Sequence, residues 1–434
     1  MSPTACKSFE NKNLRRYFIT SIIIKAFVTA LLLSSFVYLA HFGITSYFLH
    51  SVFACAGLWL LFKSERTGYF FTGFFVGILW FYWISLSFRY YGDLAWLMPV
   101  VIIGIGVIYG ILFLIPSLLT NSPYLHAIAL VLLSQIAPFG FNWFNFELIL
   151  YYTPFGLTSI HVLFLIISIL LVQHTRKGYY FLALICFIAA FDFSNKEPPK
   201  MPDFDIKIVQ TRISQDKKWQ NETIVEQVRE NFKNIETAIA EKKRLVIMPE
   251  TAFALYLNKN DIIVNKLLEY SQDIAIIAGA LGYEDGKYYN SAYFFDKGIM
   301  QRADKVALVP FAEKIPLPNF ISYYINRLFF EGASDFTEAP HASDFTVDGV
   351  KIRSAVCFEG STNMLYEGEP QLLSVVSNNA WFLPSTEPVM QNLMLSLYAS
   401  KNNVIIFHSV NGEGSGVIVP RKSALKIISE HFGQ

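Results

Sequence analysis

Charged side chains are absent from residues 26–62, 67–88, 94–146, 148–175 and 178–191, where apolar residues dominate. A helix of about 20 apolar residues crosses the hydrocarbon core of a bilayer. The pattern predicts helices at 18–40, 45–62, 68–88, 95–117, 124–140, 154–172 and 179–194, an α-helical transmembrane bundle of seven spans. Lys25 interrupts the first of them, and no small-residue cleavage site leads into polar sequence, which speaks against a cleaved signal peptide. Past residue 195 the pattern changes. Strand-like runs begin at IKIVQ (206), LVIMP (245), IAIIAGA (274), NSAYFFD (290), KVALVP (305), KIRSAVC (351), LLSVVS (372), VIIFHS (404) and SGVIV (415), with helical periodicity over 221–242 and 260–271. Alternation of this kind predicts a layered α/β sandwich.

The charge distribution sharpens the division. Of the 69 charged residues among 434, only 15 fall in residues 1–195. The stretch SNKEPPKMPD, rich in proline and mixed charge, reads as a boundary. The expected organisation is a membrane domain over 1–195, a linker over 196–204 and a polar domain over 205–434. A net charge of +1 argues against bulk capture of nucleic acid. Cys357 is the lone cysteine of the polar half, so no disulfide framework is available there. Lys7, Lys12, Arg15, Arg16, Lys63, Arg66, Arg176 and Lys177 all fall on one side of a seven-span bundle. Positive loops favour the cytoplasm, which would put the polar domain on the outer face of the membrane. The aromatic segment 141–153 would lie on that outer side, as an interfacial belt or as part of a lipid entrance.

Three polar residues stand at strand ends, where α/β sheets place their chemistry. Glu250 follows LVIMP, Lys305 opens KVALVP, and Cys357 ends KIRSAVC. Two of them have a plain structural explanation: a helix cap for Glu250, inert packing for Cys357. A thiol with a pKa of about 8.5 is barely ionised at neutral pH, so a cysteine nucleophile needs a base or a neighbouring cation. His341, His408 and His431 lie beside none of these strand ends. Glu250 as proton carrier and Lys305 as oxyanion partner would supply both needs.

The order Glu250, Lys305, Cys357, with PET, K-x-x-L-V-P-F-x-E and C-F-E around them, resembles the triad of the nitrilase superfamily. The apolar half, together with VQTRISQDKKW, YNSAYFF, SNNAWF and NGEGSGVI, narrows the resemblance to the apolipoprotein N-acyltransferases. It implies a nitrilase-like αββα sandwich that needs no cofactor or metal. Cys357 would take an acyl chain from a phospholipid, most simply phosphatidylethanolamine, as a thioester. The diacylglyceryl-modified N-terminal cysteine of an apolipoprotein would then receive that chain on its amine. Lys305 and the backbone N–H of Phe358 would hold the oxyanion, with Glu313 and Glu359 positioning Lys305 and shaping the pocket. Trp219, Asn290 and Trp381 would contact substrate. The expected location is a bacterial inner membrane, with the N-terminus cytoplasmic and the catalytic domain periplasmic.

Some features depart from that family pattern. Only RKSALKIISEHFGQ follows Pro420, too polar for the final transmembrane helix common among relatives. Phe358 stands where tyrosine is frequent, and EPVMQNLMLSLYASKNNV lacks the expected His and Arg-Ala-x-Glu. Residues 80–83 are candidates for the entrance, and ISYYINRLFF from 321 for a lid or a buried helix. The same triad would also serve a membrane-tethered amidase, in which water resolves the acyl-enzyme. A transporter or sensor with an inactive outer domain is a third reading; Lys25, Arg89, Asp93 and Glu147 near span ends give it little support.

Overall fold

The computed structural model describes residues 19–174, 177–194, 196–318, 320, 322 and 335–426. Outside them lie Cys6, Lys7, Lys12, Arg15, Arg16, Arg176, most of the stretch 321–330, and the chain beyond Lys426, with His431.

Helices occupy every expected apolar position: α1 (Ile19–Leu33), α2 (Ser35–His41), α3 (Tyr47–Phe62), α4 (Arg66–Phe81), α5 (Leu97–Leu119), α6 (Pro123–Leu133), α7 (Ser159–His174) and α8 (Tyr180–Ala189). Among the described residues, three segments, Arg66–Tyr90, Gly92–Leu119 and Pro123–Gly140, are long and apolar enough to cross, and the α1–α2 pair, bent by 56°, makes a fourth, while α3, α7 and α8 are shorter apolar helices. At about 1.5 Å per residue, the 16 residues of α3 reach only about 24 Å, short of the roughly 30 Å hydrocarbon core. The bend between α1 and α2 falls at Ser34, whose hydroxyl bonds back to Ala30 O at 2.6 Å and receives Trp80 Nε1 at 3.0 Å. Such back-bonding bends helices. Helices α4 and α5 meet closely because Gly73 faces Tyr109 O, which a Cβ would approach to 2.4 Å. Small residues admit this approach between apolar helices.

The polar half is two sheets face to face. One runs β1 (Ile206–Ile208), β2 (Leu245–Ile247), β4 (Ala275–Glu284), β5 (Lys287–Asp296), β6 (Ile299–Asp304), with β3 (Phe253–Tyr256) also paired to β4. The other runs β11 (Gly416–Ile418), β10 (Ile405–Asn411), β9 (Leu372–Asn378), β8 (Val350–Val356), β7 (Asp344–Val347). Their inner faces share one core, in which Phe294 of β5 stacks on Phe345 of β7 at 4.9 Å. Helices α9 (Asn221–Ala240) and α10 (Asp261–Tyr270) cover the first sheet. Helix α11 (Glu387–Asn402) covers the second and belongs to the same core as the membrane helices. The architecture is an αββα sandwich whose second helical layer rests on the membrane domain.

One expected strand is absent. KVALVP from 305 is irregular, and the strand is the preceding IMQRAD of β6. The amides that would build a ladder go to side chains: Val306 N donates to Glu359 Oε2 at 2.7 Å and Val309 N to Glu313 Oε2 at 2.8 Å. Carboxylates that satisfy backbone donors in this way substitute for sheet pairing.

The segment 141–153 is neither a belt nor an open entrance. Trp143, Phe144, Phe146 and Leu148 to Leu150 are buried in the core shared by the two halves. Trp80 and Trp83 are likewise interior. Glu147 is buried and pairs with Lys401 of α11. Arg421 fastens the same region. Its Nη1 donates to the carbonyls of Leu150, Tyr151 and Thr153 at 3.1, 2.9 and 2.8 Å, and its Nη2 to Phe155 O at 2.6 Å and Asp192 at 3.3 Å. Arg421→Met strands these acceptors, at a cost of about 3 kcal/mol by the usual penalty for unmet charged hydrogen bonds. The expected result is an earlier thermal transition and faster proteolysis between the halves; an unchanged melt would show that the clamp contributes nothing.

Candidate active site

Cys357 directly follows β8 and opens a tight turn over Cys357–Ser361. Its φ of 56° lies in the left-handed region, which costs an L-residue about 1–2 kcal/mol and is held only where surroundings enforce it. Here they do. Glu359 Oε1 accepts Val356 N at 2.6 Å while Oε2 accepts Val306 N, so one buried carboxylate ties the end of β8 to the segment after Lys305. From below, the Phe358 ring stacks on Phe141 at 5.9 Å with planes 10° apart, and Trp143 Nε1 donates to Ser361 Oγ at 2.8 Å. The membrane domain supports the turn carrying the thiol.

Glu250 stands just past β2 and packs edge-on to β4. Gly279 makes room for it: a Cβ there would sit 2.5 Å from Glu250 Cα and 2.7 Å from both Pro249 O and Thr251 N. Gly279→Ala must displace that backbone, and a misplacement of about 1 Å costs about 100-fold in rate. The expected result is a comparable fall in thioester formation, followed by mass spectrometry, while the secondary structure is retained; undiminished formation would show that the backbone there tolerates the shift.

A chain of contacts links the acids to the lysine. Asn290 Nδ2 donates to Glu250 Oε1 and to Glu313 Oε1, both at 2.8 Å, and Glu313 Oε2 accepts Lys305 Nζ at 2.7 Å. Lys305 is fully buried. Burial alone would push its proton off, but Glu313, then Cys357, Glu250 and Glu359, outweigh it and hold the ammonium above its ordinary range. Burial lifts Glu250 above the ordinary carboxylate range against the pull of Lys305, and Glu313 adds to the lift. Burial also raises the Cys357 thiol, with Glu250 reinforcing and Lys305 opposing, so the resting sulfur keeps its proton. Glu359 is pushed up to about 7, chiefly by burial. A protonated thiol, a carboxyl with elevated proton affinity and a permanent ammonium are the parts of a nucleophile whose proton leaves as it attacks.

The remaining expected residues are scattered around this centre. Trp219 is 44% exposed. Trp381, partly buried, lies at the rim against Tyr90 and Tyr91 of the membrane domain, and Arg89 Nη2 donates to Leu383 O at 2.8 Å beside it. Three further residues belong to the site. Buried Lys218 donates to Glu250 O at 3.1 Å, and burial lowers its ammonium to about 7. Gln391 donates its Nε2 to Cys357 Sγ at 3.4 Å, and Glu387 lies one turn earlier on the same face of α11. The only sequence signal for these two was their polarity at the start of a largely apolar run.

Fold and site define a membrane-bound protein with a nitrilase-type catalytic layer. Residues 206–414 match the carbon-nitrogen hydrolase family, and residues 19–193 match the apolipoprotein N-acyltransferase integral membrane domain. An apolipoprotein N-acyltransferase of Wolinella succinogenes is 44% identical over 90% of this chain and 94% of its own length. One from Campylobacter jejuni is 38% identical over 96% and 93%. Among solved structures, a CN-hydrolase superfamily protein of Xanthomonas campestris is 15% identical, with a TM-score of 0.36, and covers 54% of this chain and 96% of that one. The chain belongs to the apolipoprotein N-acyltransferase family, and is a bacterial membrane protein.

Proposed function

We propose that the chain moves an acyl group from a membrane phospholipid, phosphatidylethanolamine in the simplest case, to the N-terminal amine of a diacylglyceryl-modified apolipoprotein. Cys357 Sγ attacks the ester carbonyl while Glu250 takes the thiol proton. Lys305 and the Phe358 backbone N–H hold the oxyanion. Collapse breaks the ester C–O bond, Glu250 protonates the departing lysophospholipid, and the acyl group stays on sulfur as a thioester. The acceptor amine attacks next and loses a proton to Glu250, which returns it to Sγ as the C–S bond breaks. Glu313 and Asn290 keep Lys305 and Glu250 aligned, Glu359 holds the two loops together, and Trp219 and Trp381 lie along the substrate path. Catalysis belongs to residues 205–434, joined through 196–204 to a membrane domain whose seven apolar segments, bent or short ones included, leave the N-terminus in the cytoplasm and the sandwich at the periplasmic face of the inner membrane.

The observation that carries this reading is the continuous contact from Glu250 through Asn290 and Glu313 to Lys305, beside a strained cysteine turn seated on the membrane domain. A diacyl donor and a triacylated product are expensive to bring into water, at about 0.8 kcal/mol per exposed CH₂. Such a reaction belongs at the bilayer surface. Intact-protein mass spectrometry after exposure to phosphatidylethanolamine should show one added acyl chain on Cys357, discharged onto a diacylglyceryl lipopeptide. Free fatty acid with no N-acylated peptide would sink the transferase reading.

A further inference from the structure

Two buried polar atoms beside the nucleophile have no hydrogen-bond partner among the described residues. They are Glu387 Oε2 and Gln391 Oε1, on residues each 1% exposed. An orphaned buried acceptor costs about 1–3 kcal/mol unless something fills its valence. Gln391 is fixed by its Nε2 contact with Cys357 Sγ, which keeps its free oxygen, on the same amide group, near the sulfur. Glu387 shares that face of α11, four residues earlier, and when ionised it interacts with both Cys357 and Glu250.

We propose that Glu387 Oε2 and Gln391 Oε1 form the subsite for a primary ammonium, that of the acceptor's N-terminal amine, placing its nitrogen against the thioester carbon on Cys357. This rests on the transferase reading above. A primary ammonium carries three donors and no acceptor, which suits two unmet oxygens, one of them on a carboxyl. The ethanolamine headgroup offers the same chemistry. It is separated from its own acyl ester by the phosphoglycerol, however, whereas the attacking amine must come within about 3–3.5 Å of the acyl carbon. A subsite touching Sγ suits the amine.

The proton balance closes. Burial, reinforced by the charge of Glu250, raises the Glu387 carboxyl well above its ordinary range, so it releases its proton to water only as a cation arrives. The bound ammonium then gives one proton to Glu387, and the free amine forms the C–N bond. Its second proton passes through Glu250 to Sγ as the C–S bond breaks. The sum is thioester plus ammonium going to amide, thiol and one proton released. The other titratable groups on elements packed against α11 are engaged elsewhere: Glu359 with backbone amides, Glu147 with Lys401, His408 with Asn392 and Ser377. Tyr82 receives Thr386 N at 3.2 Å, Tyr38 donates to Leu79 O, and His41 lies exposed at the end of α2.

The test uses the full chain in vesicles and measures two single-turnover steps: thioester formation, and its discharge onto a diacylglyceryl lipopeptide. Glu387→Gln should lower the ratio of discharge to formation at least about tenfold at neutral pH, and the lipopeptide concentration that gives half-maximal discharge should rise with it. Glu387→Asp, which keeps the carboxyl, should show a smaller deficit in both. A ratio matching wild type in Glu387→Gln would overturn the assignment, as would a deficit in Glu387→Asp equal to that in Glu387→Gln. A loss confined to thioester formation from phosphatidylethanolamine, and absent with phosphatidylglycerol, would give the subsite to the donor headgroup and also overturn it. A wild-type thioester that yields only fatty acid would instead defeat the transferase reading itself.

Discussion

Cys357→Ala is expected to abolish acyl-enzyme formation: no mass should be added on exposure to phospholipid, and N-acylation of a lipopeptide should fall by at least about 10⁴-fold, the scale on which loss of a nucleophile is felt. In the proposed mechanism the sulfur forms the bond to the acyl carbon, so without it binding, oxyanion stabilisation and proton transfer have nothing left to act on. Cys357→Ser retains an attacking atom, but the hydroxyl is far harder to deprotonate, and the Gln391 contact and neighbouring charges are set for sulfur. It is expected to be nearly as inactive. The left-handed turn predicts a further difference between variants. Cys357→Gly relieves the strain at φ 56° and should melt no earlier than wild type while being equally inactive, which separates the chemical role of the residue from its structural one. Persistent acylation of Cys357→Ala would remove the nucleophile from the scheme.

Lys305→Met is expected to be the most damaging change that spares the cysteine. An oxyanion donor is worth about 10²–10³ in rate, and this lysine also neutralises its surroundings. Glu313 loses its ion-pair partner, while Glu250 and Glu359 lose the opposing charge that keeps their carboxyls from rising further. Breaking a buried pair from one side costs about 3–5 kcal/mol, because the remaining charge stays in low dielectric. The variant should therefore show both a lower melting temperature and thioester formation below about one part in a thousand of wild type. Lys305→Met with Glu313→Gln removes the stranded charge and should recover much of the stability and none of the rate. If the double variant regained activity, Lys305 would be structural only.

Much of the fold was legible because its signals are local. Runs without charge marked each membrane helix, and β-branched runs located β1, β2, β4, β5, β8, β9, β10 and β11. KVALVP misled because its backbone amides are claimed by two side chains, that of nearby Glu313 and that of Glu359, which is distant in the chain, and no local pattern records the second. The short strands β3, β6 and β7 lacked a long apolar run. Segment 141–153 read as interfacial because aromatic residues suit both a bilayer surface and a protein core; only the covering layer of α11 decides between them.

Sequence alone determined the two solvents this chain lives in, and the positions of Glu250 and Cys357 after strands, since hydrophobic period and residue order are properties of short stretches; that Lys305 follows β6 was decided by the fold. Tertiary structure alone decided how many apolar helices reach crossing length, that Asn290 joins two carboxylates, that Glu359 ties β8 to the segment after Lys305, and that Gln391 meets the sulfur. Those outcomes depend on which surfaces bury one another. A contact between side chains far apart in the chain exists only once the sheets, α11 and the membrane helices have closed around it.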